Sequence, residues 1–409
     1  MSQHDFAVLI VGGGPIGAVL AALLARHSGV TPSRIGLLAP DIEIGRRAIA
    51  PDAPCDLRVV ALARASQRVL RQADAWPRMP LARACAYERM RVWHQSLPPD
   101  GLATLVFDAA ELAEPELGFI VEQKALTWAC LDSFAAAGGR LLDTSLAGLR
   151  VEDAGVHVTG NAGDFSAGLL VGADGAHSRV RELLGIPLQT HDYGQRAIVA
   201  NVTTTRAHQN TAWQRFLATG PVALLPLFNG LSSIVWTLED SAAKQMLAAA
   251  PQDFSRHLSD ATDHVLGAVT LQGARAGFPL QRATAVRLTA QRTALIGDAA
   301  HQIHPLAGQG INLGFLDAAA LCESIAKAAS AREDPGSART LCQYEQQRLT
   351  HDTLVSWSMS AFNALFSQSG AAGWVGARLL AAAGATGPLR RALARRAMGL
   401  EGELPRLAS

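Results

Sequence analysis

The run Thr293–Asp317, TALIGDAAHQIHPLAGQGINLGFLD, decides how this 409-residue chain folds. Thr293, Ala294, Leu295 and Ile296 read as a short buried strand that breaks at Gly297-Asp298. Ile311, Leu313, Phe315 and Leu316 recur at helical spacing and open a helix. Pro305, Gly308 and Gly310 make the turn between them. Strand, acid, glycine-rich turn and helix start, in that order, form the layout of a cofactor cradle. Asp298 can accept a hydrogen bond from a sugar hydroxyl. Gly308 and Gly310 let the backbone approach a flat ring with no Cβ between. The helix start at Ile311 and Asn312 offers free N–H groups and a partial positive charge to an anion, such as the charge a reduced flavin carries. The plainer reading is a Gly/Pro loop that only ends a strand; the close spacing of Gly-Asp and Gly-Gln-Gly-Ile-Asn argues against it.

Two further signals of the same kind lie upstream. Phe6–Val11 is an apolar strand running into Gly12-Gly13-Gly14-Pro15-Ile16-Gly17, with a helix over Ala18–Arg26. This G-x-G-x-x-G follows a strand and opens a helix, so it predicts a dinucleotide site with the pyrophosphate over Pro15, Ile16 and Gly17. Leu169–Gly172 followed by Ala173-Asp174-Gly175 is another strand-to-turn signal, with Ser178-Arg179 just beyond. The second strand, Arg34–Leu38, ends on Ala39-Pro40-Asp41, where an acid for the adenosine ribose is usual. Arg58, placed after the second strand, is read as a cofactor contact, and Glu122-Gln123 opens a helix over Ala125–Ala136.

The rest of the chain sets bounds. With 36 basic and 35 acidic residues the net charge is +1, which gives no electrostatic footprint for nucleic acid. The five cysteines are scattered without a CxxC pair, which speaks against a zinc site and fits a reducing compartment. Phe6–Ala25 is apolar but holds four glycines and lacks a basic leader, so it is not read as a signal peptide. Met90–Trp93 and Leu105–Phe107 read as strands of a different sheet. Residues 188–275 turn β-rich, as expected of an antiparallel layer over a flat cofactor. Leu354–Phe366 and Trp374–Ala382 are apolar helices, with Arg390, Arg391, Arg395 and Arg396 following at helical spacing. They predict docking either on an anionic membrane or on the protein body or a partner subunit.

The three signals Gly12–Gly17, Asp174-Gly175 and Gly297-Asp298 resemble, in type and order, those of the class A flavoprotein monooxygenases, the aromatic hydroxylases related to p-hydroxybenzoate hydroxylase. The runs Asp56–Leu62, Phe119–Glu122, Leu224–Leu227, Ser233–Trp236 and His304–Gly310 resemble the ubiquinone-biosynthesis FAD-dependent hydroxylase family. Ser233–Leu238 and Ala397–Leu400 resemble its 2-polyprenylphenol hydroxylase branch. The resemblance spans nearly the whole chain.

It implies an α/β fold: a discontinuous Rossmann-like FAD-binding domain, an antiparallel-sheet substrate domain and C-terminal helices. The expected division is residues 1–75, 101–187 and 276–345 for FAD, 76–100 and 188–275 for substrate, and 346–409 for the helical region. FAD is expected at Gly12, Gly14, Pro15, Ile16, Gly17, Arg58, Gln123, Asp174, Asp298, Gly308, Gly310, Ile311 and Asn312. NAD(P)H would be a transient co-substrate, since no second G-x-G-x-x-G is present. The implied reaction is hydroxylation of a polyprenylated phenol by O2 through a flavin C4a-hydroperoxide, with Pro305, Gln309 and His304 as candidate catalytic residues and no metal. His301 is a further acid–base candidate. Implied partners are the polyprenyl phenol and O2, a ubiquinone-biosynthesis complex, a homo-oligomer and peripheral contact with the inner membrane from the cytoplasm. Ala39 and Gln123, where the family has an acid and Asn, depart from its pattern. The alternatives are a class A hydroxylase of a soluble aromatic or polyketide, a flavin reductase or halogenase, and a non-catalytic FAD-bound scaffold subunit.

Overall fold

The computed structural model describes residues 4–40, 53–101, 104–302, 310–348, 391, 392, 395, 398, 400 and 404–409. Two eight-stranded sheets and a small three-stranded sheet organise it. The first sheet is built on five parallel strands in the order Thr293–Leu295, Gly163–Gly172, Phe6–Val11, Ile35–Leu38 and Arg140–Leu142. Their apolar side chains are buried on both faces, as parallel strands flanked by helices require. The helix Pro15–His27 packs beside Gln123–Ala136 and Gly310–Ser330 to cover one face. The hairpin Leu146–Val151 and Val156–Gly160 pairs onto the outer part of Gly163–Gly172.

The second sheet runs Leu105–Asp108, Arg89–His94, Thr211–Leu217, Gly220–Pro226, Ser232–Glu239, Leu188–Thr204, Val269–Ala285 and His301–Gln302. All its pairings are antiparallel except Thr211–Leu217 with Arg89–His94. Leu105–Asp108 pairs with Arg89–His94, so this strand belongs to the second sheet and not to the FAD portion drawn from residue 101. The long strands Leu188–Thr204 and Val269–Ala285 carry the chain out of the first sheet and back to it.

Alternation assigns the two faces of this sheet. Ile198, Ala200, Val202, Val222, Leu224, Ile234 and Trp236 point one way and pack with Ala243, Phe254 and Leu258 of the helices Asp240–Ala248 and Pro251–Ala261. Among the described residues no helix packs in the apolar cluster on the opposite face. The three-stranded sheet, Val59–Ala63, Gly118–Glu122 and Cys85–Tyr87, fills part of that side.

The five cysteines are free. Among the described residues no helix is long and apolar enough to cross a membrane. The predicted helices Leu354–Phe366 and Trp374–Ala382 lie outside the described residues.

Candidate active site

Register brings the three distant signals together. Leu295, Gly172, Val11, Leu38 and Leu142 form one row across the five parallel strands. Immediately beyond this row come Gly297-Asp298, Ala173-Asp174, Gly12–Gly14 and Ala39. The carboxyl ends of parallel strands are where open α/β sheets bind ligands.

The glycines of the first turn divide into two kinds. A Cβ on Gly12 would lie 2.3 Å from the Ala173 carbonyl oxygen, and its φ is +116°. A Cβ on Gly17 would lie 2.0 Å from the Gly12 oxygen. Packing within the protein accounts for both. At Gly14 an added Cβ meets nothing within 4 Å, and φ is an ordinary −69°. Neither sterics nor backbone strain explains a glycine there, but a ligand lying against the turn does. Gly14 is also the N-cap of Pro15–His27, with no side-chain cap, so Ile16 and Gly17 open a helix whose start is left for an anion.

Asp174 accepts the Arg179 and Val180 N–H groups through Oδ2, at 2.7 and 3.1 Å, and so starts the short helix Arg179–Leu183. Its Oδ1 is buried without a partner. Ser178 caps the same helix, and Arg179 pairs with Glu182 at 2.6 Å, so these two are engaged locally. Arg181 ties this turn to the next: its guanidinium donates to the Ala176 and Ala299 carbonyls at 2.8 and 2.9 Å. Asp298 is open to solvent although protein crowds it. Crowding raises its pKa, opposed by the His301 charge and reinforced by Asp317.

Asn312 uses its side chain within the protein. Its Oδ1 accepts Ala63 N–H and Ser66 Oγ at 2.9 and 2.6 Å, and its Nδ2 donates to the Ala61 oxygen at 2.9 Å. It joins the helix Gly310–Ser330 to the strand Val59–Ala63, and Gly310 and Ile311 start that helix. Arg58 is exposed, with its guanidinium over the Phe278 ring at 5.2 Å, and its carbonyl accepts Gln123 N–H at 2.9 Å. Gln123 opens the helix Gln123–Ala136, again without a side-chain cap. Ala39 is buried, and a Cβ on Gly13 would lie 2.3 Å from the Ala39 Cβ, so Ala39 closes against the glycine turn. His304, Pro305, Gly308, Gln309 and Asp41 lie outside the described residues.

An interaction absent from the sequence reading holds the cradle's side. Arg83 donates to both oxygens of Glu122 at 2.7 and 2.8 Å, and the two side chains are 5% and 6% exposed. Glu122 Oε1 also accepts Asp56 N–H at 2.7 Å, and Arg83 donates to the Ala53 and Pro54 carbonyls. The pair thus fastens residues 53–56 to the end of Gly118–Glu122. Burial alone would push Glu122 up; the Arg83 hydrogen bonds, the Asp56 N–H and the Arg83 charge bring it below the ordinary carboxylate range. No spacing rule links positions 39 residues apart, so only the run Phe119–Glu122 marked the place.

The face of the second sheet opposite Asp240–Ala248 and Pro251–Ala261 looks toward this cradle. Asn201 Nδ2 on that face donates to the Cys55 and Asp56 carbonyls at 3.1 and 3.4 Å, and those residues lead into Val59–Ala63. Val199, Ala223, Leu225 and Val235 share the face and are half-buried. Asn201 and Ser233 sit opposite each other across two strands. Their Oδ1 and Oγ are buried without partners. A flat, apolar floor with a few polar atoms is what an aromatic substrate site requires.

Residues 5–356 match the FAD-binding domain family. The chain belongs to that family. It is a flavoprotein monooxygenase of the hydroxylase class with an α/β, p-hydroxybenzoate hydroxylase-like fold, as the residue pattern predicts. It is 33% identical over 377 residues to 3-demethoxyubiquinol 3-hydroxylase of Escherichia coli, covering 90% of this chain and 92% of that protein. It is 35% identical over 407 residues to ubiquinone hydroxylase UbiL of Rhodospirillum rubrum, covering 98% and 92%. The solved structure of p-nitrophenol 4-monooxygenase PnpA from Pseudomonas putida superposes with a TM-score of 0.75 over 97% of this chain and 98% of that one. At 19% identity that likeness concerns the fold. The family's FAD fits the residues present: among the described residues Gly14 has open space before it, Asp174 Oδ1 is buried without a partner, and the helix starts at Pro15 and Gln123 have no side-chain cap.

Proposed function

We propose that this chain hydroxylates the ring of a polyprenylated phenol in ubiquinone biosynthesis, using O2 and NAD(P)H as transient co-substrate. The supporting observation is similarity at 33% and 35% identity across 92% of two hydroxylases named for ubiquinone chemistry. FAD, when bound, supplies the redox chemistry that activates O2. The chain's own residues bind, orient and exclude water. Gly12–Gly17 and Asp298 hold the nucleotide. The start of Gly310–Ser330 places N–H groups where negative charge develops on the ring system, and a well-aimed donor of this kind is worth about 3 kcal/mol. Pro305, Gln309 and His304 retain the catalytic roles assigned on sequence. A prenyl tail contributes about 0.8 kcal/mol per buried CH2, so an apolar groove or peripheral membrane contact belongs to this reading.

The primary experiment is metabolite profiling in cells lacking the protein. Loss of ubiquinone, with accumulation of a polyprenylphenol short of one ring hydroxyl, is the expected result. Normal ubiquinone in a strain without a redundant hydroxylase transfers the reading to a soluble aromatic or polyketide substrate. Bound flavin that NAD(P)H fails to reduce, with or without substrate, points instead to a scaffold subunit.

Asn201 and Ser233 are proposed to meet an oxygen substituent of the ring. Asn201→Leu should raise KM for the aromatic substrate about tenfold while FAD affinity stays parental, the loss expected when a polar partner is removed. A parental KM would reassign both oxygens to internal water.

A further inference from the structure

One buried carboxylate joins three parts of the molecule. Asp317, on Gly310–Ser330, is 0% exposed. Its Oδ2 accepts the Gly297 N–H at 2.9 Å and lies 2.8 Å from His301 Nε2. Its Oδ1 accepts Arg348 Nε at 2.6 Å. Gly297 belongs to the turn that ends the first sheet, and His301 to the last strand of the second. Arg348, 2% exposed, ends the described part of the helix 338–348. Burial would raise the Asp317 carboxyl, but His301, Arg348 and the Gly297 N–H bring it well below the usual range, so it acts as an anion.

The same helix grips the strand leading to that turn at two more points. Tyr344 Oη donates to the Leu295 carbonyl at 2.9 Å. Glu345 accepts Leu288 N–H at 2.6 Å and Thr289 Oγ1 at 3.1 Å. Gly297 itself has φ +59° and stands over Ile16, where a Cβ would come within 3.2 Å of the side chain. The turn therefore has the first helix on one side and the Asp317 carboxylate on the other, with little room to shift.

We propose that Arg348 is a positioning residue for the flavin: acting through Asp317, it holds the Gly297-Asp298 turn, so the helix 338–348 sets how tightly FAD is bound. Arg348 acts through the Asp317 carboxylate and Tyr344 through the Leu295 carbonyl. The inference rests on FAD binding at the cradle and not on the identity of the aromatic substrate.

The test is titration of the apo-protein with FAD, followed by flavin fluorescence, beside thermal unfolding of the same apo samples. Arg348→Met should raise the FAD dissociation constant by about tenfold or more, since small misplacements of a supporting shell carry costs of this order. Arg348→Lys keeps the charge and should recover part of the loss. Tyr344→Phe removes one hydroxyl and should weaken FAD about threefold. Arg339→Met, an exposed position on the same helix paired with Glu333, should match the parent. A lowered melting temperature with parental FAD affinity in Arg348→Met would show the network to be structural only. Should Arg348→Met not fold, parental affinity in both Arg348→Lys and Tyr344→Phe overturns the proposal.

Discussion

A Gly14→Val protein should fold and unfold like the parent in its apo form yet retain no flavin. The Cβ enters a region where no atom of the described residues lies within 4 Å, and φ of −69° suits any residue. Exchanging Gly for Val at a helix N-cap costs at most about 1 kcal/mol. The branched side chain does, however, occupy the surface over which the pyrophosphate must lie. We expect the FAD dissociation constant to rise about 100-fold or more, equivalent to about 2.7 kcal/mol. Gly12→Ala is the contrasting substitution. Its Cβ would stand 2.3 Å from the Ala173 oxygen at a φ of +116°, so it should damage folding before FAD is added. Equilibrium titration and apo melting curves of the two proteins separate these effects. A Gly14→Val protein that binds FAD like the parent would remove the pyrophosphate from the first turn.

The second large effect concerns Arg83 and Glu122. Arg83→Met leaves a carboxylate buried without its counter-charge, and breaking a buried pair in this way costs about 3–5 kcal/mol. The double variant Arg83→Met/Glu122→Leu should recover most of that loss, because no uncompensated charge remains. In the parent the folded-state pKa of Glu122 is depressed, so its contribution is fully present above the unfolded value of about 4.3. It is lost as pH falls below that value and through the folded one. Denaturant midpoints between neutral pH and the acid limit measure this. Arg83→Met should lose its stability at neutral pH and show a flatter fall in acid. A parental midpoint in Arg83→Met would mean that the pair contributes no net stability.

How much of this could be read in advance depends on the length scale of each signal. The strands at Phe6, Leu169 and Thr293 and the turns after them were legible, because apolar runs and glycines act locally, though the middle strand begins earlier, at Gly163. The residue pattern also marked Asn312, but not that its side chain would be spent on Ala61, Ala63 and Ser66. Asp174 looked like a cofactor contact; half of its carboxylate caps a helix, and half stays unpartnered. Asp317 was indistinguishable from a polar residue on a helix surface, because its partners lie 16, 20 and 31 residues away. Arg83 and Glu122 carry no periodicity. Pairings of this kind are set by how the sheets stack, which no local pattern encodes.

The row of strand ends also constrains when the protein can become a flavoprotein. The strand Phe6–Val11 is made first and has Ile35–Leu38 as one neighbour, but on its other side lie Gly163–Gly172 and, beyond that, Thr293–Leu295. Contacts so distant in sequence form late and slowly. A ribosome must deliver about three quarters of the chain before Gly12, Asp174 and Asp298 can face one another, and Arg348 emerges later still. The nascent polypeptide therefore has nothing with which to capture a coenzyme, and loading belongs to the finished molecule. Until then one edge of the first apolar strand stands unpaired, a period in which chaperone contact protects it.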